Sequence, residues 1–383
     1  MSGGEPSDKS AKGMRAVILV GGYGTRLRPL TLTMPKPLVP FCNKPIIVHQ
    51  VEALRDAGVT EVILAVAYRS DAMKKTMEYW AKELGVSFAF SLEEEPLGTA
   101  GPLALARDIL LQDDQPFFVL NADITCRFPL RELLSFHQKS GKEGTIAVTK
   151  VTEWQKYGVV VFDEATGLID QFVEKPRNFV GDRINAGIYV FNKSVLSRIK
   201  VERTSIETQV FPQMASSKQL CAFVLEGFWM DIGVPKDYIE GVSKYLRSLN
   251  GTPKEAKELY KIDRAHRNDD FTVIGCVIID STAKVGQGCV IGPFATIGPG
   301  CVIGPASRIK NSAVLEGSTI GKGTLIDSSI IGWKSRVGSW CRIVNNAVLG
   351  EDVEVRDELF LNGTKVLPNK SISQNYHEPE VVM

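Results

Sequence analysis

Residues 19–40 read LVGGYGTRLRPLTLTMPKPLVP, from Leu19 to Pro40. The run leaves a short apolar segment, Ala16-Val17-Ile18-Leu19-Val20, with the length and composition of a strand buried on both faces. Gly21, Gly22 and Gly24 then permit a tight turn that brings backbone N–H groups up to an anion. No Asp or Glu occurs from Arg15 to Val51, whereas Arg15, Arg26, Arg28, Lys36 and Lys44 bring five positive charges. A glycine turn in such a field has the makings of a polyphosphate site.

Two common phosphate loops do not fit. The dinucleotide fingerprint fails because Leu27 stands where its third glycine belongs, and the P-loop fails because no Gly-Lys-Ser/Thr occurs in the chain. At 383 residues two domains are expected, and a 44% apolar fraction can fill both cores. A net charge of +1 gives no basic excess for nucleic acid, and no apolar run is long enough for a membrane span. Seven scattered cysteines without a C-x-x-C pair read as reduced thiols in a cytoplasmic protein, not as disulfides or a zinc site. Residues 1–13 read as a polar disordered tail with no targeting character.

Further on, Ile47, Val51 and Leu54 predict a helix that Gly58 ends. Strands are expected at 61–66, 86–90 and 117–120, with a helix capped by Ser70 running to about Leu84. Strands alternating with helices imply a mostly parallel, doubly wound sheet, in which ligands sit beyond the carboxyl ends of the strands. The glycine loop and Asp123 both fall at such ends. Asp123 alone reads equally well as a helix cap. Asp231, again an aspartate after an apolar strand, makes the pair a better candidate for holding Mg²⁺ against a polyphosphate.

Glu93-Glu94-Glu95 is an ordinary solvated acidic run, but the following Pro-Leu-Gly-Thr-Ala-Gly allows flat backbone contact with a ring. Phe172-Val173-Glu174-Lys175-Pro176 could be no more than a Glu–Lys pair on a strand. From Val273 onward an aliphatic residue recurs every six positions through Ile309. The pattern slips by one, resumes at Ile320 and Ile326, slips again, and runs from Val337 through Leu361 and Leu367. That is a hexapeptide repeat, the mark of a parallel β-helix of roughly five coils. No histidine lies between His266 and His377, so the repeat lacks the usual general base of a hexapeptide acyltransferase and reads as a scaffold for self-association.

The runs Gly22–Thr31, Pro35–Leu38, Glu93–Leu105, Phe172–Pro176, Ile184–Tyr189 and Phe228–Asp237 resemble, in order and spacing, the sugar-nucleotide pyrophosphorylase family. The resemblance implies an α/β fold: a Rossmann-like nucleotidyltransferase domain at 14–250, a linker at 251–270, and a C-terminal left-handed parallel β-helix at 271–383. It assigns Leu19, Gly21, Gly22, Gly24, Thr25, Gly98, Thr99 and Asp123 to the nucleotide. Gly158, Glu174, Lys175 and Asn185 go to the sugar phosphate, Asp123 and Asp231 to Mg²⁺, and Arg26, Lys36 and Lys175 to catalysis. Within the family the runs look most like its branch using GTP and mannose 1-phosphate to make GDP-mannose, expected as a homo-oligomer with a possible paralogous regulatory subunit. Two alternatives stay open: a non-catalytic, sugar-nucleotide-sensing regulatory subunit, and the same chemistry on another base and sugar.

Overall fold

The computed structural model describes residues 13–22, 24–66, 71–93, 95–249 and 270–383. The tail up to residue 12, the cap at Ser70 and the linker from 251 to 269 lie outside them. The chain divides into two compact units. One takes the described residues up to Gly21, then Gln50–Ala122 and Phe128–Glu226; the other takes Gly22–His49, Asp123–Arg127 and the described part of Gly227–Met383.

The first unit is built on a nine-stranded sheet. Its parallel half runs Phe117–Asn121, Met14–Val20, Val59–Val66, Ser87–Leu92 in spatial order. The strand Met14–Val20 therefore sits where the winding reverses, the position at whose carboxyl ends doubly wound sheets bind their ligands. The rest is largely antiparallel where the alternating pattern predicts parallel strands: Leu220–Val224 does pair parallel with Gly144–Lys150, but Arg183–Phe191 pairs antiparallel with Phe117–Asn121, with Gly144–Lys150 and with Gly158–Phe162. These later strands follow one another with little helix between them, and an antiparallel return needs no crossover. Val17, Leu19, Ile63, Val119, Tyr189, Phe191 and Phe211 share one buried core. Arg15 does not join a cationic field. It is buried, and its guanidinium is paired with Glu61 at 2.7 Å and with Asp113.

In the second unit the repeat winds into three parallel sheets of six, seven and six strands, so six coils stand where the sequence predicts about five. Ile291, Ile309, Ile326, Ile343 and Leu361 stack as one inward ladder, one coil apart. At Gly300, Gly317, Lys334, Asp352 and Asn369 the backbone is left-handed, which turns one corner of each coil. A third slip follows Leu361: Val366 and Ile372 face inward, and Leu367 does not belong to the ladder. The same unit contains residues 22–49 and the helix Pro235–Leu249, which pack together on the outer face of one β-helix sheet. Among the described residues no helix is long and apolar enough to cross a membrane.

Candidate active site

Gly22 and Gly24 both have positive φ, 79° and 62°, as the turn requires. The chain then makes three short 3-10 turns, Thr25–Leu27, Leu30–Leu32 and Lys36–Leu38. Leu27, Leu30 and Leu38 point inward and are buried, which turns Arg26 and Arg28 outward. The Thr31 hydroxyl donates to the Gly24 carbonyl at 2.7 Å and closes the loop.

Lys36 lies within the second unit with its Nζ 2.6 Å from Asp123 Oδ2. Asp123 precedes the strand Ile124–Cys126, which pairs antiparallel with Trp229–Asp231 and brings Asp231 opposite Ile124. The Ile232 N–H donates to the Asp123 carbonyl at 3.0 Å, so backbone pairing holds the two aspartates beside each other. Arg26 Nη2 stands 3.8 Å from Asp231 Oδ2, with its own side chain 64% exposed. A methyl on Gly233 would meet Asp231 Oδ1 at 2.7 Å and Arg26 Nη2 at 2.9 Å, so this glycine is what lets both groups close in.

Asp231 is the electrostatic weak point. Its Oδ1 is buried without a hydrogen-bond partner. Burial raises its pKa above the ordinary carboxylate value, the charge of Asp123 raises it further, and Lys36 and Arg26 only partly offset both. Two hard carboxylates, one with an unsatisfied oxygen, fit a divalent cation. Among the described residues no group of three or more His, Cys, Asp or Glu is arranged to hold a metal. An ion here would therefore complete its shell with phosphate oxygens and water, as Mg²⁺ commonly does.

The remaining sequence-predicted residues lie in the first unit, apart from Thr25, an exposed residue of the first 3-10 turn. Leu19 is buried and its carbonyl accepts from Ala122 N–H at 3.2 Å, beside exposed Gly21. A side chain at Gly98 would strike the Thr204 carbonyl at 2.5 Å. Thr99 donates through Oγ1 to Glu207 Oε2 at 2.6 Å and accepts from the Ile206 N–H at 2.8 Å. Gly158 leaves space for the Phe172 ring and for Glu174 Oε2, which a methyl would meet at 2.5 and 2.8 Å. Lys175 has positive φ, and its exposed ammonium is 3.3 Å from Glu174 Oε1. Burial raises the Glu174 pKa, and the charge of Lys175 works against that rise.

Asn185 lies at a bulge where the pairing of Arg183–Phe191 with Gly144–Lys150 breaks register. Its Oδ1 accepts from Gly187 N–H at 3.0 Å and its Nδ2 donates to Tyr189 Oη at 2.9 Å. Gly187, at φ 73°, passes so close to Asn121 that a methyl would come within 2.8 Å of Nδ2. Glu207 joins the Thr99, Glu174 and Tyr189 group. The sequence reading missed it, since no motif surrounds it. Its one signal is structural: it sits in a single turn of π-helix, Ile206–Val210, a form frequent at functional sites.

The nucleotidyl transferase family matches residues 15–248, and a family described as the GMPPB C-terminal domain matches residues 273–382. The mannose-1-phosphate guanylyltransferase catalytic subunit beta of Drosophila melanogaster is 56% identical over 371 residues, covering 97% of this chain and 98% of its own. The mannose-1-phosphate guanyltransferase beta-B of Xenopus laevis is 55% identical over 370 residues, 97% of this chain and all of its own. Among solved structures, HddC from Yersinia pseudotuberculosis is 28% identical with a TM-score of 0.51, covering 61% of this chain and 99% of that one.

Proposed function

The chain belongs to the nucleotidyl transferase family, in its mannose-1-phosphate guanylyltransferase branch, and from that membership we propose that it converts GTP and mannose 1-phosphate to GDP-mannose and diphosphate. A phosphate oxygen of the sugar phosphate attacks the α-phosphorus of GTP. The bond to the bridging oxygen breaks, and diphosphate carries the electron pair away. Such displacement needs positioning and charge stabilisation rather than a protein nucleophile. The observation that supports it most is the Lys36–Asp123–Asp231–Arg26 group, with its two cations, two carboxylates and one unsatisfied oxygen.

In this reading Lys36 and Arg26 bind the triphosphate and take up the negative charge that grows on departing diphosphate. Asp123 and Asp231 would hold Mg²⁺, which supplies positive charge to the reacting phosphates. Leu19, Gly21, Gly22, Gly24, Thr25, Gly98 and Thr99 line the nucleotide. Lys175 neutralises the sugar phosphate, while Glu174, Asn185 and Gly158 shape the sugar pocket. The substrates are charged metabolites and no described cysteine is in a disulfide, in keeping with a cytoplasmic reaction. The strands that end two β-helix sheets among the described residues, Thr272–Val273 and Val381–Val382, are surfaces for a homo-oligomer and for a paralogous regulatory subunit.

Diphosphate release from the full chain, measured with GTP, ATP or UTP against mannose or glucose 1-phosphate, tests the proposal. GTP with mannose 1-phosphate should exceed every other pair by about 100-fold or more in kcat/KM. A faster reaction with another pair moves the assignment to that pair. No turnover with any pair returns the chain to the regulatory-subunit reading.

A further inference from the structure

Residues 97–100 form neither helix nor strand, yet they hold Gly98 and Thr99, the part of the first unit proposed to meet the nucleotide. A loop with so few bonds of its own takes its shape from what it is tied to. Its partner is the stretch that runs from Thr204 into the π-turn Ile206–Val210. The Thr204 N–H donates to the Leu97 carbonyl at 2.9 Å, and the Ala100 N–H donates to the Thr204 carbonyl at 3.0 Å. Gly98 fits between these two bonds because it has no side chain to strike the Thr204 carbonyl.

Beyond that backbone pair the tie is one carboxylate. Glu207 Oε2 accepts from the Thr99 hydroxyl at 2.6 Å and from the Ser205 hydroxyl at 2.9 Å. The first distance is that of a charge-assisted bond. A carboxylate only accepts, so the Thr99 hydrogen points to Glu207, and a Thr99 lone pair is met by the Ile206 N–H at 2.8 Å. The Thr99 hydroxyl proton is therefore spent within the protein, and the loop meets a ligand with backbone, above all at exposed Gly98. Ser205 fixes the turn that carries Glu207: its Oγ accepts from the Thr208 N–H at 3.2 Å, and its own N–H donates to Gln209 Oε1 at 2.7 Å. The turn is seated on the strand Ile169–Glu174, and the Phe211 ring that follows it lies 5.0 Å from Phe172 and 5.3 Å from Tyr189.

We infer that Glu207 is a positioning residue for the nucleotide loop, fixing Gly98 and Thr99 through the Thr99 hydroxyl. The inference rests on the proposed reaction for what the loop binds, whereas the clasp between 97–100 and 204–207 stands apart from it. Glu207 touches no substrate in this scheme. It is half-buried and outside the apolar core of its unit, so its replacement leaves that core intact.

The test uses the full chain as Glu207→Ala, Glu207→Gln, Thr99→Val, Thr99→Ser and the Thr99→Val/Glu207→Ala double variant. Two readouts are taken: kcat and KM for diphosphate release, and amide hydrogen exchange across residues 97–100 and 204–206. Glu207→Ala should raise KM for GTP roughly tenfold, the scale of one lost charge-assisted hydrogen bond. KM for mannose 1-phosphate should stay within about twofold. Thr99→Val should raise the GTP KM by a similar factor, and the double variant should be no worse than either single change, because both break one bond. Glu207→Gln keeps an acceptor and Thr99→Ser keeps the donor, so each should recover most of what its partner variant loses. Exchange should quicken at 97–100 and 204–206 while the strand Arg183–Phe191 keeps its protection. A GTP KM within about twofold of wild type in Glu207→Ala would overturn the inference. Losses that multiply in the double variant would also overturn it, since the carboxylate would then act apart from Thr99, as would protection lost across the whole sheet. If the wild type fails to turn over GTP and mannose 1-phosphate, the proposed reaction is at fault, and the exchange readout alone decides for or against the clasp.

Discussion

Lys36 and Arg26 carry the same charge but hold it very differently. The Lys36 side chain is 12% exposed and 2.6 Å from Asp123, whereas that of Arg26 is 64% exposed and 3.8 Å from Asp231. The Arg26 contact is solvent-screened and contributes less than ~1 kcal/mol as an ion pair, which leaves the guanidinium available to a phosphate. Lys36 is the group whose loss is felt most. Without it, the developing charge loses a donor and Asp123 and Asp231 face each other with only the exposed Arg26 to offset them. Lys36→Ala should therefore lower kcat by about 100-fold in the diphosphate-release assay, and a variant within about threefold of wild type would remove Lys36 from catalysis. At this scale the sequence is readable where a residue carries its context with it. Asp123 and Asp231 each follow an apolar strand and can be paired by eye. Arg15 cannot be read that way: it looks like part of a cationic stretch, but Asp113, its partner, lies 98 residues on. Glu207 is illegible for the same reason, since what gives it meaning is its bond to Thr99.

Between residue and fold stands the short hairpin Pro40–Phe41/Lys44–Pro45 with the helix that follows it. His49, on that helix, fastens the two: its Nε2 is 2.8 Å from the Phe41 carbonyl, and its ring meets Phe41 and Tyr245 edge to face. Burial, aided by the charge of Lys44, pushes the His49 pKa down to about 4. Below pH ~6.5 the unfolded chain takes up a proton at this histidine that the folded chain refuses, so stability falls with pH until the folded value is reached. The loss should amount to about 2 kcal/mol at pH 5 relative to pH 7. In thermal denaturation, His49→Gln should flatten the acid side of the Tm–pH curve. An equally steep curve in the variant would assign the acid lability elsewhere. The elements themselves are largely legible. The helix Ile46–Asp56 and the strand Val59–Val66 fall within two residues of expectation. The antiparallel half of the sheet is not legible, because strand direction depends on which partner is nearest, and apolar periodicity has no sign. Leu367 reads as inward for a related reason: a five-residue step is invisible where Val366 and Leu367 stand side by side and either could fill the ladder.

At the scale of the whole molecule, the second unit gathers three stretches far apart in the chain, 22–49, 123–127 and the described part of 227–383. The hexapeptide period announces the repeat itself, since coils without stacked neighbours leave their aliphatic ladders bare. The period by itself does not announce that its outer row at Ala313, Ile330 and Val348 is covered; the signal lies in composition, since that row is apolar where an exposed outer row carries Lys284, Thr319, Arg336 and Glu354. The consequence for function is that Lys36, Arg26, Asp123 and Asp231 share one unit with the repeat. The claim on which the rest depends is that Asp123 and Asp231 together bind a divalent ion. Mn²⁺ binding to the full chain in the presence of GTP, followed by electron paramagnetic resonance, addresses it without relying on turnover. One ion should bind per chain, and Asp123→Asn or Asp231→Asn should each weaken it by roughly tenfold or more. Wild-type Mn²⁺ affinity in both variants would contradict the account.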